Sequence, residues 1–110
     1  MRAVVCLTPK DVQAGLNGGQ ETTHALLVDV RTPDEFARGS VPGACNIPLD
    51  TLPEKISLFD RARDIITICH HGRRSLQAAE FLCAQGFCAK SMSGGMDAWA
   101  LTIDPRIERY

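Results

Sequence analysis

Asp64-Ile65-Ile66-Thr67-Ile68-Cys69-His70-His71-Gly72-Arg73-Arg74-Ser75 is the stretch on which the fold turns. Residues 64–69 form a largely apolar run of strand length. A strand with one wet face alternates apolar and polar residues; a run like this reads as a strand covered on both faces. It passes into a short loop containing Gly72, and a helix is expected from Ser75 to about Gln85, stopped by Gly86. Leu76, Ala79 and Cys83 share one face of that helix, with Ala78 and Leu82 beside them.

The same alternation continues on either side. Upstream, Ala25 to Val30 is a second largely apolar run of strand length. Thr32-Pro33-Asp34-Glu35 then starts a helix with a capping residue, a proline in the first turn and a glutamate three residues after the cap. Gly39 ends this helix, Val41-Pro42-Gly43 reads as a turn, and Ala44 to Ile47 as a short strand. Leu52 to Phe59 reads as a helix with Leu52, Ile56 and Phe59 on one face. Nearer the start, Val4 to Leu7 is a short strand. Thr8-Pro9 opens a helix that Asn17-Gly18-Gly19 closes. Downstream, Ala89 to Met92 is the last strand, and Ser93-Gly94-Gly95 leads into a final helical turn carrying Trp99. Strands alternating with helices at these lengths imply a three-layer α/β domain with a mainly parallel sheet. The C-terminal ends of its strands then share one edge, where ligands bind.

The 110 residues make one domain, and 45% hydrophobic with 23% charged residues is an ordinary globular balance. Twelve basic against thirteen acidic side chains give a net charge of −1, which leaves no polycationic surface for nucleic acid. The basic excess is local: residues 61–110 carry seven basic and five acidic side chains, against five and eight in residues 1–60. No apolar run approaches the roughly 20 residues that span a bilayer, and the first residues are too short for a secretory leader. Five cysteines, Cys6, Cys45, Cys69, Cys83 and Cys88, are an odd number that suits a reducing, cytoplasmic setting better than a disulfide framework.

Cys69 is the candidate nucleophile. It ends a buried strand and precedes a tight loop and a helix start, a layout in which successive backbone N–H groups turn inward around an anion. Arg73 and Arg74 add full positive charge. Such a cradle favours a thiolate over a thiol. A tyrosine-phosphatase loop counted from Cys69 would place its arginine at position 75, where the chain has Ser75, so the loop is short for phosphate. No Cys-X-X-Cys pair is present for dithiol redox chemistry.

Four segments together resemble the rhodanese family of sulfurtransferases, in its single-domain form. They are Leu27 to Phe36, Gly39 to Leu49, the loop Cys69 to Ser75, and Gly94 to Trp99, in order and spaced over residues 25 to 100. The resemblance implies a five-stranded, mainly parallel sheet with helices on both faces. It also implies transfer of a sulfane sulfur through a Cys69 persulfide, from a small anionic donor to a thiol, a protein thiol or cyanide. The loop residues His70, His71, Gly72, Arg73, Arg74 and Ser75 would bind the substrate, with Arg73 or Arg74 holding the sulfonate end of the donor. His70 directly after the cysteine, where the mercaptopyruvate-using branch has glycine, points to a thiosulfate or persulfide donor. No cofactor is implied. Ser40 stands where the family commonly has histidine. The family also includes sulfur-relay and protein-interaction modules whose partner is a carrier protein, which is the alternative reading.

The remaining polar residues are expected in structural roles. Asp29, Arg31 and Glu35 read as a charge network under the signature loop, and Trp99 as a core anchor. Thr102 to Tyr110 reads as a solvated strap. Cys6, Cys45 and Cys83 are expected to pack, as most cysteines that form no disulfide do, while Cys88 follows a turn and is expected at the surface. His70 and His71 invite a metal reading, but a structural zinc site needs four ligands. No second cluster stands at ligand spacing in the sequence, so no metal is expected.

Overall fold

Neighbouring residues in the middle strands point to opposite faces of the sheet, and both faces are apolar. In the computed structural model, which describes residues 4–16 and 25–109, this alternation sorts the core into two clusters. Val28, Ile65 and Ala89 join Leu52, Ala78, Ala79 and Leu82 on one side. Leu27, Ile66, Ile68 and Met92 join Val12, Met96 and Trp99 on the other. Full burial of each of these larger side chains contributes about 1.5–3 kcal/mol. A sheet apolar on both faces is stable only between two layers of helix.

The strands are β1 (Cys6–Leu7), β2 (Leu26–Asp29), β3 (Cys45–Asn46), β4 (Ile65–Ile68) and β5 (Ala89–Met92). The helices are α1 (Pro9–Leu16), α2 (Pro33–Ala37), α3 (Leu52–Lys55), α4 (Arg73–Ala84) and α5 (Gly95–Thr102). The sheet order is β1-β5-β4-β2-β3, and every neighbouring pair is parallel. From β2 the chain crosses outward to β3; from β4 it crosses the opposite way to β5. The direction reverses between the adjacent strands β2 and β4, and the crevice beyond their C-terminal ends is where such sheets bind ligands. Among the described residues no helix is long and apolar enough to cross a membrane.

Local signals act as their chemistry dictates. Thr32 Oγ1 accepts from the Glu35 N–H at 3.3 Å, and the Thr32 N–H donates to Glu35 Oε1 at 3.1 Å, a closed capping box. Thr8 and Asp11 make the corresponding exchange at the start of α1. The stop expected at Asn17-Gly18-Gly19 lies outside the described residues.

Four expectations are corrected. The helix expected over 52–59 is a single α-turn between two 3₁₀ turns, Leu49–Thr51 and Ile56–Leu58. The chain closes by the tighter bonds Leu52 N–H to Leu49 O and Phe59 N–H to Ile56 O. Leu52, Ile56 and Phe59 still reach one cluster, but Leu58 is left in solvent. Secondly, α4 begins at Arg73 rather than Ser75, because Gly72 takes a left-handed conformation (φ +96°) and turns the chain at once. Its buried stripe is Ser75, Ala78, Ala79 and Leu82, with Leu76 exposed. The stripe is mostly small residues, which lets α4 sit close on the sheet. Thirdly, Cys6 is exposed, since β1 is an edge strand of two residues. Fourthly, the C-terminal segment is anchored: Ile103 and Ile107 pack on the core, and Glu108 pairs with Arg38 at 2.9 Å.

Candidate active site

Cys69 directly follows β4 and is 1% exposed. The Gly72 N–H donates to its Sγ at 3.0 Å. Only a tight reversal brings that amide back onto the sulfur three residues earlier, and glycine adopts the required positive φ without penalty. A Cβ at Gly72 would also meet the Gly94 nitrogen at 3.0 Å.

Helix α5 fixes the loop from behind. The Met96 N–H donates to Cys69 O at 2.7 Å and the Asp97 N–H to His70 O at 3.0 Å. In a trans peptide the N–H points opposite to the C=O. With both carbonyls drawn toward α5, the N–H groups of His70 and His71 face away from it. The loop thus presents amides and hides carbonyls, the polarity an anion requires. Gly95 makes this approach possible: a Cβ there would lie 2.4 Å from both Cys69 O and His70 O.

Beneath the sulfur lies a chain of hydroxyls. Cys69 Sγ is 3.4 Å from Ser75 Oγ, which shares a 2.7 Å hydrogen bond with Ser91 Oγ. Thr67 Oγ1 donates to Ser75 O at 2.7 Å. Thr67, Ser75 and Ser91 are all buried. Sequence reasoning missed Thr67 and Ser91. A hydroxyl inside each of two otherwise buried strands was the available signal, since a buried hydroxyl requires a partner.

The two loop arginines part company. Arg73 is exposed in the first turn of α4. Arg74 forks onto Glu35, Nη1 to Oε1 at 2.7 Å and Nη2 to Oε2 at 2.9 Å. Arg74 also lines an open depression of about 350 Å³ with Val30, Thr32, Pro48, Leu49 and Asp50. Glu35 therefore caps α2 and braces the active-site helix. Asp29 and Arg31 form a different, fully buried pair at 2.7 Å. Arg31 Nη2 also donates to Gly39 O at 2.7 Å. Ser40 Oγ donates to Asp29 Oδ2 at 2.6 Å, so the serine that departs from the family pattern is tied into this pair.

His70 is half-buried and His71 exposed, their ring centroids 3.8 Å apart. Burial, and then the neighbouring His71, push His70 below the usual imidazole range. Folding also brings them a carboxylate that sequence spacing hides: Asp97, in the first turn of α5. The Arg109 guanidinium, 2.8 Å from Asp97 Oδ1, holds that acid below the ordinary range. Burial pushes the Cys45 thiol up. Exposed Cys88 is also pushed up, chiefly by its hydrogen bond with Asp64.

Residues 8–102 match the family described as the rhodanese-like domain. A protein of Allochromatium vinosum named sulfurtransferase is 40% identical over 81 residues, 73% of this chain and 76% of that protein. The thiosulfate sulfurtransferase GlpE of Stutzerimonas stutzeri is 33% identical over 103 residues, 93% and 90% of the two chains. Among solved structures, a rhodanese-like domain protein from Staphylococcus aureus superposes with a TM-score of 0.79 at 34% identity, covering 87% of this chain and 91% of that one.

Proposed function

This chain belongs to the rhodanese-like domain family, and on that premise we propose that it is a sulfurtransferase whose nucleophile is Cys69. The observation that carries the reading is the amide of Gly72 aimed at Cys69 Sγ from 3.0 Å, inside a loop whose carbonyls are turned away. This arrangement supports negative charge on sulfur at one spot, which both half-reactions need.

In the first half-reaction the Cys69 thiolate attacks the outer sulfur of thiosulfate or of another small persulfide-type donor. A new S–S bond forms, the donor's S–S bond breaks, and the electron pair leaves on sulfite when the donor is thiosulfate or on the donor's thiolate when it is a persulfide. In the second, a thiol, a protein thiol or cyanide attacks the outer sulfur of the Cys69 persulfide. That S–S bond breaks and the thiolate returns. The loop from His70 to Ser75 forms the site: amides and Ser75 act at the anion, Arg73 or Arg74 holds the sulfonate, and His70 and His71 border the mouth. A thiol nucleophile in a chain with an odd number of cysteines suits a reducing cytoplasm.

Incubation with thiosulfate followed by intact mass measurement tests the reading. Wild type gains one sulfur atom and Cys69→Ser does not; a wild-type chain that takes up none overturns it. Arg74→Ala weakens thiosulfate use more than it weakens folding. Transfer rates from thiosulfate and from a protein-bound persulfide, compared side by side, separate turnover of a small donor from a relay between proteins.

A further inference from the structure

We propose that His70, His71 and Asp97 form a binding site for a divalent transition-metal ion of the zinc class at the mouth of the Cys69 loop. One ligand atom from each of the three lies within 4.8 Å of the others. Around a tetrahedral zinc with Zn–N of about 2.0–2.1 Å, ligand atoms stand about 3.4 Å apart. The trio is therefore about an ångström and a half from closure, a distance that side-chain rotation covers.

The backbone already holds these residues together. His70 O accepts from the Asp97 N–H at 3.0 Å, Cys69 O accepts from the Met96 N–H at 2.7 Å, and no side chain fits between at Gly95. Residues that arrive from β4 and from β5 are thus bonded to one another before any ion binds, so little ordering entropy remains to be lost. The imidazoles lie side by side at a 33° tilt. His71 is exposed, which gives an ion a path from solvent.

The donor set selects the ion. Two imidazoles and one carboxylate suit zinc and its neighbours in the first transition row, whereas calcium and magnesium prefer oxygen alone. Three protein ligands leave a fourth position open. The competitor for Asp97 is Arg109, which engages Oδ1 with its own side chain 53% exposed. An exposed ion pair of this kind is screened by solvent and holds its carboxylate only weakly against a divalent ion.

Calorimetric titration of metal-free Cys69→Ser protein with zinc chloride tests the site, because that variant lacks the nearest thiol and cannot load sulfur. One equivalent binds, and His71→Ala and Asp97→Asn in the same background each weaken binding at least tenfold. Cobalt(II) in place of zinc gives visible d–d bands without the near-ultraviolet band of a thiolate ligand. Unchanged affinity in His71→Ala, a thiolate band from cobalt, or no zinc uptake by the Cys69→Ser protein overturns the proposal. Should Asp97→Asn fail to fold by circular dichroism, the exposed His71 decides the matter.

Discussion

Arg74 and Glu35, distant in the chain, meet in a two-pronged fork, Nη1 on Oε1 at 2.7 Å and Nη2 on Oε2 at 2.9 Å. The same Oε1 accepts the Thr32 N–H. One carboxylate thus finishes the capping box of α2 and holds the first turn of α4, tying the start of one helix to the start of the other. Glu35→Ala loses a cap and a partly exposed ion pair, about 1–2 kcal/mol together. Thermal denaturation should show that loss. Steady-state kinetics should show a fall of about tenfold in kcat/KM for thiosulfate, carried mainly by KM, because Arg74 loses its orientation. An unchanged KM would argue that the fork is structural only.

Gly95 bears on the loop from the other side. With φ at +61° and a Cβ 2.4 Å from two carbonyl oxygens, Gly95→Ala either pushes α5 off the loop or bends the loop. Backbone strain of this kind costs about 1–3 kcal/mol. Thiosulfate loading of Cys69, followed by mass, is expected to slow more than at Gly43, where an added Cβ meets nothing within 4 Å.

Ser91 is expected to act through Ser75. Ser91→Ala leaves the Ser75 hydroxyl without its 2.7 Å partner. Removing a buried hydrogen bond costs about 1–3 kcal/mol. If the hydroxyl pair positions the sulfur, thiosulfate loading of Cys69, followed by mass, slows in Ser91→Ala; if it only packs, stability falls and loading stays.

The Asp29–Arg31 pair is fully buried, and removal of one partner strands the other charge. Breaking such a pair costs about 3–5 kcal/mol. Arg31→Met should therefore shift chemical denaturation midpoints more than any surface change, with Ser40→Ala intermediate because Asp29 keeps its arginine.

Cys88 gives a pH test. Its thiol titrates above the ordinary range, with the Asp64 hydrogen bond the largest cause, so at neutral pH it holds less of the reactive thiolate. Asp64→Asn should speed iodoacetamide labelling of Cys88 near neutrality, as read by peptide mapping. The gain should shrink as the pH rises until both proteins are fully thiolate. A gain independent of pH would point to access rather than charge.

What the sequence determined by itself is local. A largely apolar run at 64–69 can be stable only with both faces covered, which already demands helices on two sides. A Thr-Pro-Asp-Glu start makes its cap from neighbouring atoms, and a glycine three residues after Cys69 allows the turn that returns an amide to the sulfur. Each depends on groups a few bonds apart, so residue order suffices. Even here the start of α4 and the break-up of the 52–59 helix escaped the pattern, because one depends on the conformation chosen at Gly72 and the other on the tighter closures made at Leu52 and Phe59. Tertiary structure alone decided the partners: Glu35 for Arg74, Ser91 for Ser75, Asp97 for the two histidines. Those groups stand far apart along the chain, and they meet because parallel strands with crossover helices deliver the ends of β2, β4 and β5 to one edge of the sheet.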